Sequence, residues 1–160
     1  GGGMIITDSE ELANRARHIT RTAKVPHAWE YIHDEIGYNY RMTNVSAAIG
    51  VAQMEKIKEY LENKRDTAQK YKKFCDDSGI SFFMEPQGAY SNYWLNAIIL
   101  KDRSERDKFL EFSNAQGVMT RPIWRLMHKL DMFKHCQHDG LTNSLWLEER
   151  VVNIPSGARS

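Results

Sequence analysis

From Val45 to Cys75 the residues Val45, Ile49, Ala52, Ile57, Leu61, Ala68, Tyr71 and Cys75 recur at three- and four-residue spacing, and Ser78-Gly79 supplies a stop. One helix over this stretch, about 35 residues at 1.5 Å each, would run about 50 Å. That is longer than a small domain needs, so the helix is expected to connect two bodies. The chain then divides into residues 1–42, the helix over 43–78, and residues 79–160. The first half of the helix is small and apolar, with Ala47, Ala48, Gly50 and Ala52. A helical glycine costs about 1 kcal/mol relative to alanine, so Gly50 points to close packing against another backbone. The second half carries Glu59, Glu62, Lys64, Arg65, Lys70, Lys72 and Lys73 and reads as an ordinary half-solvated helix.

Immediately before this helix lies Gly37-Tyr38-Asn39-Tyr40-Arg41-Met42-Thr43-Asn44. In an extended run Asn39 and Arg41, two apart, point to the same side, and both donate hydrogen bonds. Thr43 or Asn44 caps the helix, whose first turn exposes unpaired N–H groups and the positive end of the helix dipole. An amide, a guanidinium and a helix start within a few residues suit a phosphate or carboxylate. The competing reading has Asn39 capping a turn and Arg41 paired with a surface carboxylate.

Upstream, Met4-Ile5-Ile6 reads as a strand, and Asp8-x-x-Glu11 opens a helix with Leu12, Ala16 and Ile19 on one face. From Thr20 to Tyr38 the period is lost: Pro26 is followed by His27, Trp29, Tyr31, His33 and Tyr38, either a functional loop or a packed Ω-loop. After Gly79, residues 80–84 and 94–100 read as strands on either side of Pro86-Gln87-Gly88. Ser104-x-x-Asp107 opens a helix that turns Phe109, Leu110 and Phe112 inward and ends at Gly117; residues 118–123 form a third strand. A short helical turn near 130–133 and a helix over about 143–151 complete a small α+β layer.

The 160 residues suffice for one domain or part of a larger one, and 22 basic against 21 acidic residues leave a formal charge of +1. That balance gives no support for a nucleic-acid partner or a polybasic membrane contact. No apolar run reaches membrane length and no signal-peptide core is present, so a cytoplasmic protein is expected. Cys75 and Cys136, far apart and outside any metal or redox spacing, agree with that. Imidazole and thiolate are zinc ligands, but His135-Cys136-Gln137-His138 is too tightly spaced for a structural site, and no metal is expected. Glycine-rich nucleotide fingerprints, a phosphate-binding loop and a nucleophile elbow are missing. Arg121-Pro122-Ile123-Trp124, with His128 four residues on, sets a cation, an indole and an imidazole at a strand end, where ligand-reading residues or a packed strand cap are equally at home.

The run Gly37 to Asn44, followed by Ala47-Ala48-x-Gly50-x-x-Gln53-Met54, resembles the signature of the DegT/DnrJ/StrS family of sugar aminotransferases. The likeness continues through Val118-Met119-Thr120-Arg121-Pro122-Ile123-Trp124 to His128, and through Arg150-Val151-Val152-Asn153-Ile154-Pro155-Ser156. The loop from Lys24-Val25-Pro26-His27 to Glu35 is similar to the subgroup that aminates UDP-4-keto-6-deoxy-N-acetylhexosamines on routes to bacillosamine- or legionaminic-type sugars. The resemblance implies the C-terminal part of the α/β type I PLP-transferase fold: the end of the large domain, the long connecting helix, and a small α+β domain with an antiparallel-rich sheet. It implies a homodimer that uses pyridoxal 5'-phosphate, glutamate as amino donor, and a nucleotide-sugar substrate. The family's glycine run, which Gly1 to Gly3 resembles, follows the lysine that anchors the cofactor, so that lysine is expected upstream and no catalytic residue within this chain. Gly1-Gly2-Gly3 ahead of Met4 also reads as a cloning scar with Met4 as the start. The resemblance assigns Asn39 to the cofactor phosphate of the neighbouring subunit, with Arg41 as a further candidate. It sets His128 and Trp124 near the nucleotide sugar, with His27, Trp29 and Tyr31 at the substrate mouth. A non-enzymatic dimerisation or scaffold module, or the same chemistry on another nucleotide ketosugar, are the alternatives.

Overall fold

The computed structural model describes residues 2–159; Gly1 of the glycine run lies outside them. The chain separates into two units, one ending at Ile57 and the other beginning at Lys58.

In the first unit, helix α1 (Glu10–Ile19) is capped by Ser9, whose side chain accepts the Leu12 N–H. Ser9 takes the place expected of Asp8, since either short polar side chain can cap. Residues 4–6 form no strand, and Met4, Ile5 and Ile6 are exposed. The expected aperiodic loop contains a small hairpin, β1 (Lys24–Val25) against β2 (Ile32–His33), antiparallel with Lys24 opposite His33. Thr43 is the cap of helix α2 (Asn44–Glu55), and its hydroxyl oxygen accepts the Ser46 N–H at 3.2 Å.

The single long helix expected from the periodicity is broken at Lys56, which closes α2 by donating its N–H to the carbonyls of Gln53 and Met54; α3 (Ile57–Ser78) begins one residue later. No Gly or Pro marks that break, so the pattern runs through it.

The second unit holds a four-stranded antiparallel sheet of β3 (Ser81–Phe82), β4 (Asn96–Ile99), β5 (Arg121–Pro122) and β6 (Val151–Ile154), in the order β3-β4-β6-β5. Its inner strand β6 lies where the sequence pattern continues a helix to Val151; that helix, α5 (Thr142–Glu148), ends three residues earlier. Val151 and Val152 are both buried, so β6 lacks the alternation of a half-exposed strand. Helix α4 (Arg103–Ala115) is capped by Asp102, whose carboxylate accepts the Glu105 N–H at 2.9 Å. Cys75 of α3 packs with Ile98, Leu100, Val152 and Ile154 to form the core, bordered by Tyr71, Phe82 and Phe109. Two 3-10 turns, Met127–Lys129 and Asp131–Phe133, fill the connection between β5 and α5. Among the described residues no helix is long and apolar enough to cross a membrane.

The connection over residues 83–95 is tied to α3 by Arg65. Its guanidinium donates to both Glu85 carboxylate oxygens, at 2.6 and 3.0 Å, and to the Ser91 carbonyl at 2.7 Å, while stacking over Tyr90. The Arg65 fork and the Ser91 N–H together pull the Glu85 carboxyl down to about 2.

Candidate functional site

The segment 37–41 is fixed by backbone rather than by side chains. Tyr38 N–H donates to the Ile19 carbonyl at 2.8 Å, Tyr40 N–H to the Thr20 carbonyl at 3.0 Å, and Thr22 N–H to the Tyr38 carbonyl at 3.1 Å. These bonds bracket an isolated antiparallel bridge between Arg21 and Asn39. Thr22 and Ala23 both sit in the left-handed region, with φ of 68° and 50°. Gly37 passes so close over them that a Cβ there would lie 2.4 Å from the Ala23 nitrogen and 2.4 Å from the Thr22 carbonyl carbon. Only glycine allows that approach, and the turn it covers holds Ala23, the one buried residue among the described residues of this unit.

The chain is extended through this segment, so its side chains alternate. The rings of Tyr38 and Tyr40 stack on one side, 5.4 Å apart and 11° from parallel. Asn39 and Arg41 therefore share the opposite side. Both are exposed, and neither side chain has a hydrogen-bond or ion-pair partner among the described residues. Two residues beyond Arg41, Thr43 caps the start of α2, whose first turn contains no acidic residue to oppose an anion. An amide NH2, a guanidinium and a helix start, with no acidic residue in the first turn of α2, suit a phosphate or carboxylate.

A second side-chain cluster forms in the same unit, between α1 and the residues that follow β2. His18 Nε2 lies 2.7 Å from Asp34 Oδ1 and 3.4 Å from Glu35 Oε1, and Arg15 forks to both oxygens of Glu35. The His18 contact lowers the Asp34 carboxyl and the Arg15 fork lowers that of Glu35. Among the described residues, His18, Asp34 and Glu35 form the one group of three with metal-ligand spacing, but Arg15 already engages Glu35 through two bonds. Nothing in the linear spacing of 16 residues between His18 and Asp34 announces the pair.

The hairpin residues have local tasks. His27 Nδ1 accepts the Glu30 N–H at 3.0 Å and closes the turn, with its ring edge-on to Trp29. Tyr31 lies beneath the Lys24 ammonium, 4.2 Å from ring centroid to nitrogen. In the second unit, Trp124 is exposed and lies 6.2 Å from Trp94, a residue that the sequence reading left inside a strand. His128 stands in the first 3-10 turn on a cavity of about 350 Å³, apolar apart from Gln137, Ser144 and two imidazoles. Its Nδ1 is buried without a partner among the described residues, and its ring lies 4.9 Å from that of His138. The structure thus groups Asn39 with Arg41, and Trp124 and His128 lie near one another in sequence but contact different partners.

Residues 1–159 match the DegT/DnrJ/EryC1/StrS aminotransferase family. The chain belongs to that family. Its aminotransferases depend on pyridoxal phosphate. GDP-perosamine synthase of Escherichia coli O157:H7 is 33% identical over 157 residues, covering 97% of this chain and 42% of that protein. GDP-perosamine synthase of Vibrio cholerae is likewise 33% identical, over 97% of this chain and 43% of its own length. The structure of Helicobacter pylori PseC, an aminotransferase of pseudoaminic acid biosynthesis, superposes with a TM-score of 0.86 at 15% identity, over 96% of this chain and 43% of that one. The small α+β unit and the preceding helices are thus part of the fold of a sugar aminotransferase, and the chain spans less than half the length of these relatives.

Proposed function

We propose that this chain is the carboxy-terminal part of a pyridoxal phosphate-dependent aminotransferase that moves an amino group from glutamate to C4 of a nucleotide-linked 4-keto-6-deoxy sugar, a step in making cell-surface glycan or polysaccharide sugars. The observation that carries the reading is the pair of uncommitted donors, Asn39 and Arg41, on one side of a segment pinned by Gly37 at the start of α2. Asn39 holds the cofactor phosphate of the neighbouring subunit in a homodimer, and Arg41 adds a positive charge beside it. Bound pyridoxal phosphate supplies the electron sink and carries the amino group between donor and acceptor. The lysine that anchors it and moves the proton belongs to the upstream part of the enzyme, so this chain alone is inactive. His128 and Trp124 orient the nucleotide sugar, and His27 and Tyr31 border its entrance. Residues 1–42 complete the large domain, residues 43–78 connect, and residues 79–160 form the small domain; the site of action is the cytoplasm.

Helix α2 supports the dimeric reading. Val45, Ile49, Val51 and Met54 spread around it and are all exposed, so its apolar surface has more than one side to cover. In the intact enzyme, Asn39→Ala should lower cofactor retention about ten-fold, the size of one hydrogen bond to a charged group. Equal retention by the wild-type and variant enzymes after gel filtration would remove Asn39 from the phosphate.

A further inference from the structure

In the second unit, Arg103, Arg106, Arg125, Lys129, Glu148 and Glu149 line a cavity of about 320 Å³ where the first turn of α4, the chain after β5 and the end of α5 meet. Its carboxylates are already engaged. The Glu148 carboxylate accepts the Leu126 N–H at 3.0 Å and pairs with Lys129; Glu149 pairs with Arg150 at 3.4 Å. Arg106 is held too, by the Glu148 carbonyl and by Asp107 at 2.6 Å. Burial works against the charge of Glu148, yet Lys129, the Leu126 N–H and Arg125 outweigh it and keep the carboxyl below its usual range.

Two guanidinium groups remain with open donors. Arg125 makes no hydrogen bond or ion pair among the described residues, and Arg103 reaches Asp107 only through Nε at 3.7 Å, so its terminal nitrogens are uncommitted. With Glu148 paired to Lys129, Glu149 to Arg150 and Arg106 to Asp107, the charge left over on this concave floor is that of Arg103 and Arg125, a positive potential that a cleft concentrates. Guanidinium groups read tetrahedral oxyanions through paired N–H donors.

We propose that this cavity binds a phosphate-class oxyanion, a mono- or diphosphate group, through Arg125 and Arg103. It belongs to the second unit, whereas Asn39 and Arg41 belong to the first, and it does not depend on their role. The diphosphate of a nucleotide and free inorganic phosphate share this chemistry, and the ligand series separates them.

The test titrates inorganic phosphate, pyrophosphate and UDP into the 160-residue chain while the Arg Nε–H resonances are followed by NMR. The expected result is saturable movement of the Arg103 and Arg125 signals, with affinity falling as salt rises. Arg125→Gln should weaken pyrophosphate about ten-fold, the size of one charged hydrogen bond, and Arg125→Lys should recover only part of it. Arg125 is exposed and unbonded, so the glutamine variant keeps the fold. Tighter binding of UDP than of pyrophosphate identifies a nucleotide diphosphate as the ligand; equal binding identifies the phosphate group alone. Unsaturated, non-specific shifts in both arginines, or an Arg125→Gln variant that binds as the wild type does, would overturn the site. Either result leaves cofactor retention in Asn39→Ala untouched, so the two readings fail separately.

Discussion

The two units of the chain bury themselves very differently. From Lys58 onward, Cys75, Ile98, Leu100, Val152 and Ile154 close a core between α3 and the sheet. Up to Ile57, Ala23 is the only buried described residue, while Met4, Ile6, Val45, Ile49 and Met54 face outward. The sheet unit is held by the apolar effect, the other by backbone hydrogen bonds and ion pairs on its surface. A unit that exposes so much apolar surface around a segment pinned by backbone hydrogen bonds has the character of a face that packs against other protein.

Truncation of the core tests that contrast most forcefully. Ile98→Ala should destabilise the sheet unit by about 2–5 kcal/mol in urea unfolding, whereas Val45→Ala, on an exposed helix surface, should stay within about 0.5 kcal/mol. Equal losses would mean that α2 is packed in a core of its own. Gly37→Ala should act on the first unit alone, through a clash with the Thr22 and Ala23 backbone costing about 1–3 kcal/mol. Hydrogen exchange should then accelerate at Tyr38 and Tyr40 and stay unchanged in β4 and β6; loss of protection in the sheet would show the units to be one cooperative body.

The smallest effect is the pH dependence that Glu85 gives the sheet unit. Because the folded Glu85 carboxyl is depressed to about 2, it binds protons less readily than in the unfolded chain. Its contribution is fully present above the ordinary glutamate range and is lost as pH falls from about 4.5 towards 2. Glu85→Gln should flatten the acid limb of the sheet unit's stability curve over that window; an unchanged limb would place the acid sensitivity elsewhere.

Much of the architecture was legible where side chains repeat. The periods of α1, α3 and α4 and the Gly117 stop stand in the linear pattern, and Gly117 takes a φ of 77°. Caps moved by a residue or two because Asp8 and Ser9, or Asp102 and Ser104, offer the same chemistry side by side. Strand β6 was hidden because a strand buried on both faces does not alternate. The two-residue strands of the hairpin are too short to show any period. Met4-Ile5-Ile6 had strand composition but finds no neighbour among the described residues, and a strand without one has nowhere to place its backbone bonds. The Arg15, His18, Asp34 and Glu35 cluster and the Arg103–Arg125 cavity depend on folding across about 20 residues, for which the linear pattern carries no signal.

On the proposed function, this chain lends donors to a cofactor whose anchoring lysine lies outside it. The direct test is to add one equivalent of pyridoxal phosphate to the 160-residue chain, reduce with borohydride and map any modified lysine by mass spectrometry. The account predicts scattered, substoichiometric labelling here, and a single labelled lysine in the upstream half when that half is supplied. One stoichiometrically labelled lysine within these 160 residues would contradict it.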